Sequence, residues 1–356
     1  MSKDLSTSTP DTKPKKKSNL LIFTIILFII FSLSIFSWWY LTAFQQAAGK
    51  TISYFYQTSK EIKNHQIKSD ENRTNILLLG LDEIGQVREG SLLTDTIIII
   101  SISSSGSINL IPLPRDLWIN SLKTKINAIY YYGELSNQTT GSQLTQKITQ
   151  DITGLPIHYF LILKLETVKS VIDAMEGINV DVQQSFIDTQ YPRDDADPTA
   201  TDPAKLYETI EFYQGTQHMD GATALKFIRS RKSQDESEGT DTARSNRQQQ
   251  VINAIIAQVK SFKIIINPYA LGSLYSLWNQ QIQTNLSDKD ILSLTKQLSQ
   301  NGLDISTIQI PIKDKDSDGI LINPPIYKYN QWVYEPLDFT WNQLHQFVKT
   351  SLKDVK

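Results

Sequence analysis

The chain reads NILLLGLD at 75–82 and TDTIIIISISSSGSINLIPLPRD at 94–116. Short apolar runs rich in Ile and bounded by Gly, Ser, Asp and Pro form strands, since helices need longer segments with a different period. The expected strands are Ile76–Leu81, Thr96–Ile102 and Ser107–Leu113. A Ser-Ser-Ser-Gly turn joins the second to the third, and a loop of about a dozen residues joins the first to the second. In an antiparallel meander, chain reversal brings the end of strand one, the start of strand two and the end of strand three to one edge. Asp82, Asp95 and Arg115 would then be neighbours. A parallel first crossover would instead place Asp82 and Asp95 at opposite ends.

Beyond the meander, element types alternate. Ile157–Leu165 is expected as a strand, Glu166–Met175 as a helix, Ile178–Val182 as a strand, and Asp220–Ile228 as a helix capped by Asp220. A helix over Asp288–Gln300 follows the capping residue Ser287, then a strand over Thr307–Pro311 and a terminal helix after Thr340. Interleaving of this kind indicates an α/β sheet covered by helices. The segment Asp188–Pro203, with YPRDDADPTATDP at its heart, is read from its prolines and acids as an exposed loop.

The chain has 356 residues, 40% of them hydrophobic, with 35 basic and 37 acidic side chains. That is enough for a substantial core, and the near balance of charge argues against a general nucleic-acid binder. There are no cysteines, which excludes disulfides, thiolate zinc sites and cysteine nucleophiles. His65, His158, His218 and His345 show no helical metal-binding spacing. Near the N-terminus, Leu20 to Leu41 carries no charge and is long enough to cross a hydrocarbon layer of ~30 Å as a helix. Lys13, Lys15, Lys16 and Lys17 precede it, and Trp38, Trp39 and Tyr40 close it. The expectation is a single-pass membrane anchor with the lysines in the cytoplasm and everything after it outside. Residues 1–18 are expected to be disordered, 42–73 to form a partly helical stalk, and 74–356 to form the globular domain.

A second stretch, RSRKSQDESEGTDTARSNRQQQ at 229–250, points to chemistry. Apolar residues recur at Val251, Ile252, Ile255, Ile256 and Val259, and stepping back along the same face reaches Arg247 and Arg244. Arginine is rarely buried without a partner, so two guanidinium groups on a core-facing stripe suggest an anion site. Their planar forks suit phosphate oxygens. Carboxylates beside such a cluster invite a hard divalent cation such as Mg²⁺, held by one or two carboxylates plus phosphate oxygens. The plainer alternative is that Asp82 and Asp95 cap loops while the arginines pair with Asp235, Glu236, Glu238 and Asp241.

NILLLGLD at 75–82, TDT at 94–96, PRD at 114–116, KINAIYYYG at 125–133, DGATALKFIRSRK at 220–232 and DTARSNRQQ at 241–249 together resemble the LytR-CpsA-Psr family of bacterial cell-wall enzymes. The resemblance implies a central mixed β-sheet flanked by helices, enclosing an apolar tunnel and preceded by one transmembrane helix. It implies transfer of a glycopolymer phosphate from a polyprenyl-pyrophosphate carrier to a peptidoglycan acceptor at the membrane, with no nucleic-acid partner. Residue by residue, it implies Mg²⁺ on Asp82 and Asp95. Arg115, Arg229, Arg231, Arg244, Arg247 and Gln248 would bind pyrophosphate, Arg115, Asp95, Arg244 and Arg247 would be catalytic, and Asp241 would lend support. The sequence departs from the family at Leu93, where an arginine is usual, and at Glu134 and Glu176, where glycine is common. Competing readings are a polyprenyl-pyrophosphate hydrolase, and a non-catalytic lipid or polymer carrier or regulator.

Overall fold

A computed structural model describes residues 18–81, 92–193, 195–197, 199–235, 237–301, 304–314 and 317–352. Helices α1 (Ser18–Ala48) and α2 (Ile52–Glu61) precede the strands β1 (Arg73–Leu81), β2 (Thr94–Ser103) and β3 (Ser107–Pro112). A two-strand clasp, β4 (Trp118–Ile119) with β5 (Thr124–Lys125), leads into α3 (Ile129–Glu134) and α4 (Gly141–Thr153). Next come β6 (Tyr159–Lys164), α5 (Leu165–Ala174), β7 (Ile178–Val182), β8 (Phe186–Pro192), the short α6 (Pro203–Leu206), β9 (Tyr207–Phe212) and β10 (Gly215–Met219). The rest comprises α7 (Gly221–Arg229), α8 (Asp241–Lys260), α9 (Phe262–Ile266), α10 (Pro268–Gln281), β11 (Gln283–Thr284), α11 (Asp288–Asn301), β12 (Asp304–Thr307), β13 (Leu321–Ile322), β14 (Glu335–Pro336) and α12 (Asn342–Ser351).

The meander is antiparallel, with β1 on β2 and β2 on β3. β6 joins β1 in parallel and β12 joins β3 in parallel, while β11 runs antiparallel to β6. The result is a mixed six-stranded sheet in the order β11-β6-β1-β2-β3-β12. Side chains alternate across it, as the pleat requires. Leu77, Leu79, Ile97, Ile99 and Ile111 face a core sealed by residues such as Ile129, Ile148 and Leu344 of α3, α4 and α12. Ile76, Ile98, Ile102, Ile108 and Leu110 face the other way, toward Leu294 of α11 and Ile252 and Ile256 of α8. A third cluster lies among the ribbons β7–β10 and β8–β9 and helices α5, α7 and α8, and includes Ile172, Val180, Phe212, Phe227 and Val251.

Two expectations are corrected. Asp188–Pro192 is not loop: it is most of β8, paired with β9, and Asp188 is 1% exposed. The remote partner, Tyr207–Phe212, overrides the loop-like composition. The late strand ends at Thr307 instead of reaching Pro311, because only Ile308 adds one further bond to Leu110 O before the chain leaves the ladder. Proline has no N–H with which to continue it. The two family departures at glycine positions are absorbed locally. Glu176 takes a left-handed φ of 60° and accepts a 2.7 Å bond from Asn267 Nδ2, and Glu134 Oε1 accepts one of 2.7 Å from the Gly141 N–H. Tyr130 of the tyrosine triplet is core, within the short helix α3.

The segment after the apolar helix folds back onto the domain. Phe44, Phe55 and Tyr275 meet in sequence at interplanar angles of 55° and 69°, with centroids 5.1 and 4.9 Å apart, and Tyr54 donates a hydrogen bond to Asp288. His65 Nε2 lies 2.8 Å from Asp290 Oδ1, which also accepts from Tyr159 at 2.9 Å, while Oδ2 accepts from the Ser287 N–H and hydroxyl at 2.8 and 2.6 Å. Burial alone would raise the Asp290 carboxyl, but the hydrogen bonds from Ser287, His65 and Tyr159 outweigh it and hold the group below its usual value. A depressed folded pKa means that this stabilisation is complete above the ordinary carboxylate value of 3.8 and drains away as pH falls below it. Asp290→Asn should therefore lower stability by about 2–3 kcal/mol in thermal melts at pH 7, remove part of the acid sensitivity, and speed amide exchange over residues 62–70.

Candidate functional site

Between the second face of the sheet and α8 lies a cavity of about 670 Å³. Leu78, Ile98, Ile100 and Leu110 line it from the sheet, Val251, Ile252, Ile255 and Ile256 from α8, and Val168 and Val171 from α5. Both long elements change character in the same direction. β2 runs from Asp95 to Ile100, and α8 from Arg244 and Gln248 to Ile256, so each passes from a charged end to an aliphatic one. The polar end also carries Asp188, Gln190, Arg229, Arg231 and Lys232.

At that end the meander does what its parity dictates. Arg115, just past β3, places Nη1 2.9 Å from Asp95 Oδ1 at the start of β2. From the facing helix, Arg244 Nη2 lies 3.6 Å from Asp95 Oδ2, and this arginine is 3% exposed. Asp95 thus sits between two guanidinium groups. Its strand is held by the Thr94 hydroxyl, which donates to Asn127 O at 3.1 Å. Arg115 is also 3.5 Å from Asp116, itself bound by Lys125 at 2.6 Å. The N-terminal end of α8, capped by Thr240, adds the positive pole of the helix dipole to the same side.

Arg229, in the last turn of α7, is half-buried over the Tyr191 ring at 5.6 Å. Together with exposed Arg231 and with Gln248, one turn along α8 from Arg244, it lines the cavity. Arg247 does not share this arrangement. It donates to Phe227 O at 3.0 Å, Ser230 O at 2.7 Å, and Glu238 O and Oε2 at 3.0 and 2.7 Å, and it packs over Phe186 at 4.6 Å. Burial pulls its guanidinium below the ordinary value while Glu238 opposes the shift. Three helical residues rotate a side chain to about 60° from the starting direction, which turns Arg247 away from the cavity. Arg247, expected as a pyrophosphate contact, lies outside the cavity lining and braces the chain between α7 and α8. Leu93 is half-buried and outside the cavity lining. Asp82 and the side chain of Asp241 lie outside the described residues.

Asp188 was not expected at the site. Its carboxylate accepts from the Ser230 hydroxyl at 2.7 Å and from the N–H groups of Gln190, Arg231 and Lys232 at 2.9, 3.2 and 3.0 Å. It therefore fixes the turn from which Arg229 and Arg231 project. The available signal was parity: in FIDTQYP, Asp188 shares the inward phase of Phe186.

Among the described residues no group of three or more His, Asp or Glu side chains converges as a metal cage. Among the described residues Asp188 is engaged by four donors from the chain around it, and Asp95 is the other carboxylate that lines the polar end. One or two carboxylates completed by phosphate oxygens is an ordinary way of holding Mg²⁺, so the residues fit it in company with a phosphorylated ligand.

The sequence model of the LytR_cpsA_psr family matches residues 39–334. The chain belongs to the LytR-CpsA-Psr family. Within it, the chain is 29% identical over 266 residues to the polyisoprenyl-teichoic acid–peptidoglycan teichoic acid transferase TagU of Oceanobacillus iheyensis, covering 73% of each protein. It is 26% identical over 325 residues to the protein of the same name in Bacillus licheniformis, covering 89% of this chain and 92% of that one. The fold is that of B. subtilis TagV, with a TM-score of 0.54 at 21% identity over 80% of this chain and 98% of the other. It is also that of TagT bound to LIIa-WTA, with a TM-score of 0.52 at 20% identity over 81% and 94%.

If Asp188 organises this family member's arginine turn, Asp188→Asn should cost about 2–3 kcal/mol in thermal melts and speed amide exchange at residues 230–233. Arg231→Ala, which removes a side chain without touching the turn's hydrogen bonds, should leave both unchanged.

Proposed function

We propose that the chain is a membrane-anchored transferase that moves a glycopolymer phosphate from a polyprenyl-pyrophosphate carrier to peptidoglycan in cell-wall assembly. The observation that carries this reading is the continuity of the cavity, from an aliphatic interior suited to a polyprenyl tail to a mouth set with Asp95, Arg229, Arg231 and Arg244. A ligand apolar at one end and multiply anionic at the other matches both ends at once. The relatives named as teichoic acid transferases support the same class of reaction.

In this reading the arginines draw charge from the phosphorus centre and from the departing polyprenyl phosphate, which is most of what phosphoryl transfer asks of a protein. The acceptor hydroxyl oxygen bonds to the glycan-bearing phosphorus, the bridging P–O bond of the pyrophosphate breaks, and the hydroxyl proton passes to a carboxylate. Mg²⁺ on Asp95, and on Asp82 by family resemblance, would supply further charge neutralisation at the phosphate oxygens. Gln248 donates from beside Arg244, and Arg115 orients Asp95. Helix α1 includes a stretch, Phe23–Ala48, long and apolar enough to cross a membrane, and the lysines before it support an orientation with the domain outside the cell.

Full-length protein incubated with Mg²⁺, a synthetic polyprenyl-pyrophosphate glycan and peptidoglycan fragments should yield a glycan-phosphate-peptidoglycan adduct by mass spectrometry. Arg115→Ala and Arg244→Ala should each lower kcat/KM by about 10²–10³-fold, and chelation should abolish turnover. Release of free glycan phosphate without adduct would replace the transferase with a hydrolase; binding without turnover would leave a carrier. Ile255→Trp, which fills the aliphatic end, should raise KM for a long-chain donor and spare a donor truncated to a few isoprene units.

A further inference from the structure

We infer that α9 and the first turn of α10 form a second membrane contact that rests in the leaflet on the domain's side, beside the end of α1; this builds on the anchoring role proposed for α1. Ile265, Ile266 and Tyr269 are 56%, 67% and 48% exposed although they belong to a folded domain. Three large apolar side chains at one chain corner, flanked by exposed Lys260 and Lys263, have the composition of an interfacial segment. What identifies the occupant is the position of that corner. The Tyr40 hydroxyl donates to the Ile265 carbonyl, so α9 lies level with the aromatic residues that close the apolar run of α1. Trp38 and Trp39 there are 71% and 45% exposed, as expected of side chains that meet headgroups.

The height is fixed by packing above the contact. α1 continues past Tyr40 to Ala48, and Gly272 of α10 lies against Phe44, Ala47 and Ala48 so closely that an added Cβ would fall within 2.7 Å of Phe44 O. A helix locked to α10 at Phe44–Ala48 cannot cross a bilayer without bringing α9 to its surface. The corner is also where α8 ends. From Arg244 to Ile256 the cavity wall descends about 18 Å at ~1.5 Å per residue, and one turn later the chain enters α9. The aliphatic end of the cavity is thereby directed at the bilayer and the arginine end away from it, so a bound donor's tail would lie on the membrane side of its headgroup.

The chain has no cysteine, so single-cysteine variants of the full-length protein can each carry one fluorophore. Reconstituted in phosphatidylcholine–phosphatidylglycerol vesicles with nitroxide on shallow or deep acyl positions, labels at Ile265→Cys and Ile266→Cys should be blue-shifted. The shallow nitroxide should quench them several-fold more strongly than a label at Tyr327→Cys, an exposed site in the C-terminal region. Phe28→Cys, within the apolar run, should be quenched by the deep nitroxide. Quenching at Phe28 with solvent-like emission at both isoleucines would overturn the second contact and leave the anchor intact. Solvent-like emission at Phe28 would remove the anchor, and the second contact with it.

Discussion

One ion-pair arrangement organises the functional end of this protein: Asp95 held between Arg115 and Arg244. The three residues come from the start of β2, the exit of β3 and the first turns of α8, so the pairing ties the sheet edge to the facing helix. Two guanidinium groups converging on one carboxylate leave a surplus of positive charge in a partly desolvated pocket. There it attracts an anion far more strongly than it would in water. The same tie determines where the cavity begins, because beyond it, past Thr96 and Gln248, β2 and α8 line it with aliphatic side chains.

Around that tie, positioning is carried by two charges whose hydrogen bonds go to the chain itself. Arg247 and Asp188 are a matched pair of opposite buried charges, one collecting carbonyl oxygens and the other collecting N–H groups from the chain between α7 and α8. Together they convert a polar, loop-like sequence into a rigid turn. Each is satisfied by several hydrogen bonds, the condition under which a buried charge is tolerable. The arrangement separates tasks: the arginines that line the cavity remain partly solvated or paired with Asp95, while the fully occupied Arg247 builds the frame.

How much of this was legible depended on the range over which the deciding force acts. The meander and the Asp95–Arg115 contact followed from strand parity and two chain reversals, all within about forty residues of sequence. Burial of Arg244 and Arg247 followed from helical period. Period alone could not separate them, because α8 is buried on two faces and only the tertiary packing says which one borders the cavity. Asp188 was hidden by the acidic, proline-rich stretch after it, since its strand exists only by virtue of pairing with Tyr207–Phe212. The docking of residues 52–65 was equally out of reach, as His65 and Asp290 are separated by 225 residues.

The two-faced character of α8 also sets rules for length variation. Upstream of Thr240 the chain is already tied, because Ser230 and Glu238 accept from Arg247 while Arg231 and Lys232 donate to Asp188. After that cap the register is fixed. A single inserted residue between Thr240 and Arg247 would swing every later side chain by about 100°, taking Arg247 out of its cage of carbonyls and turning the aliphatic lining out of the cavity. Among homologous chains, changes of length should therefore avoid the whole run from Ser230 through this helix.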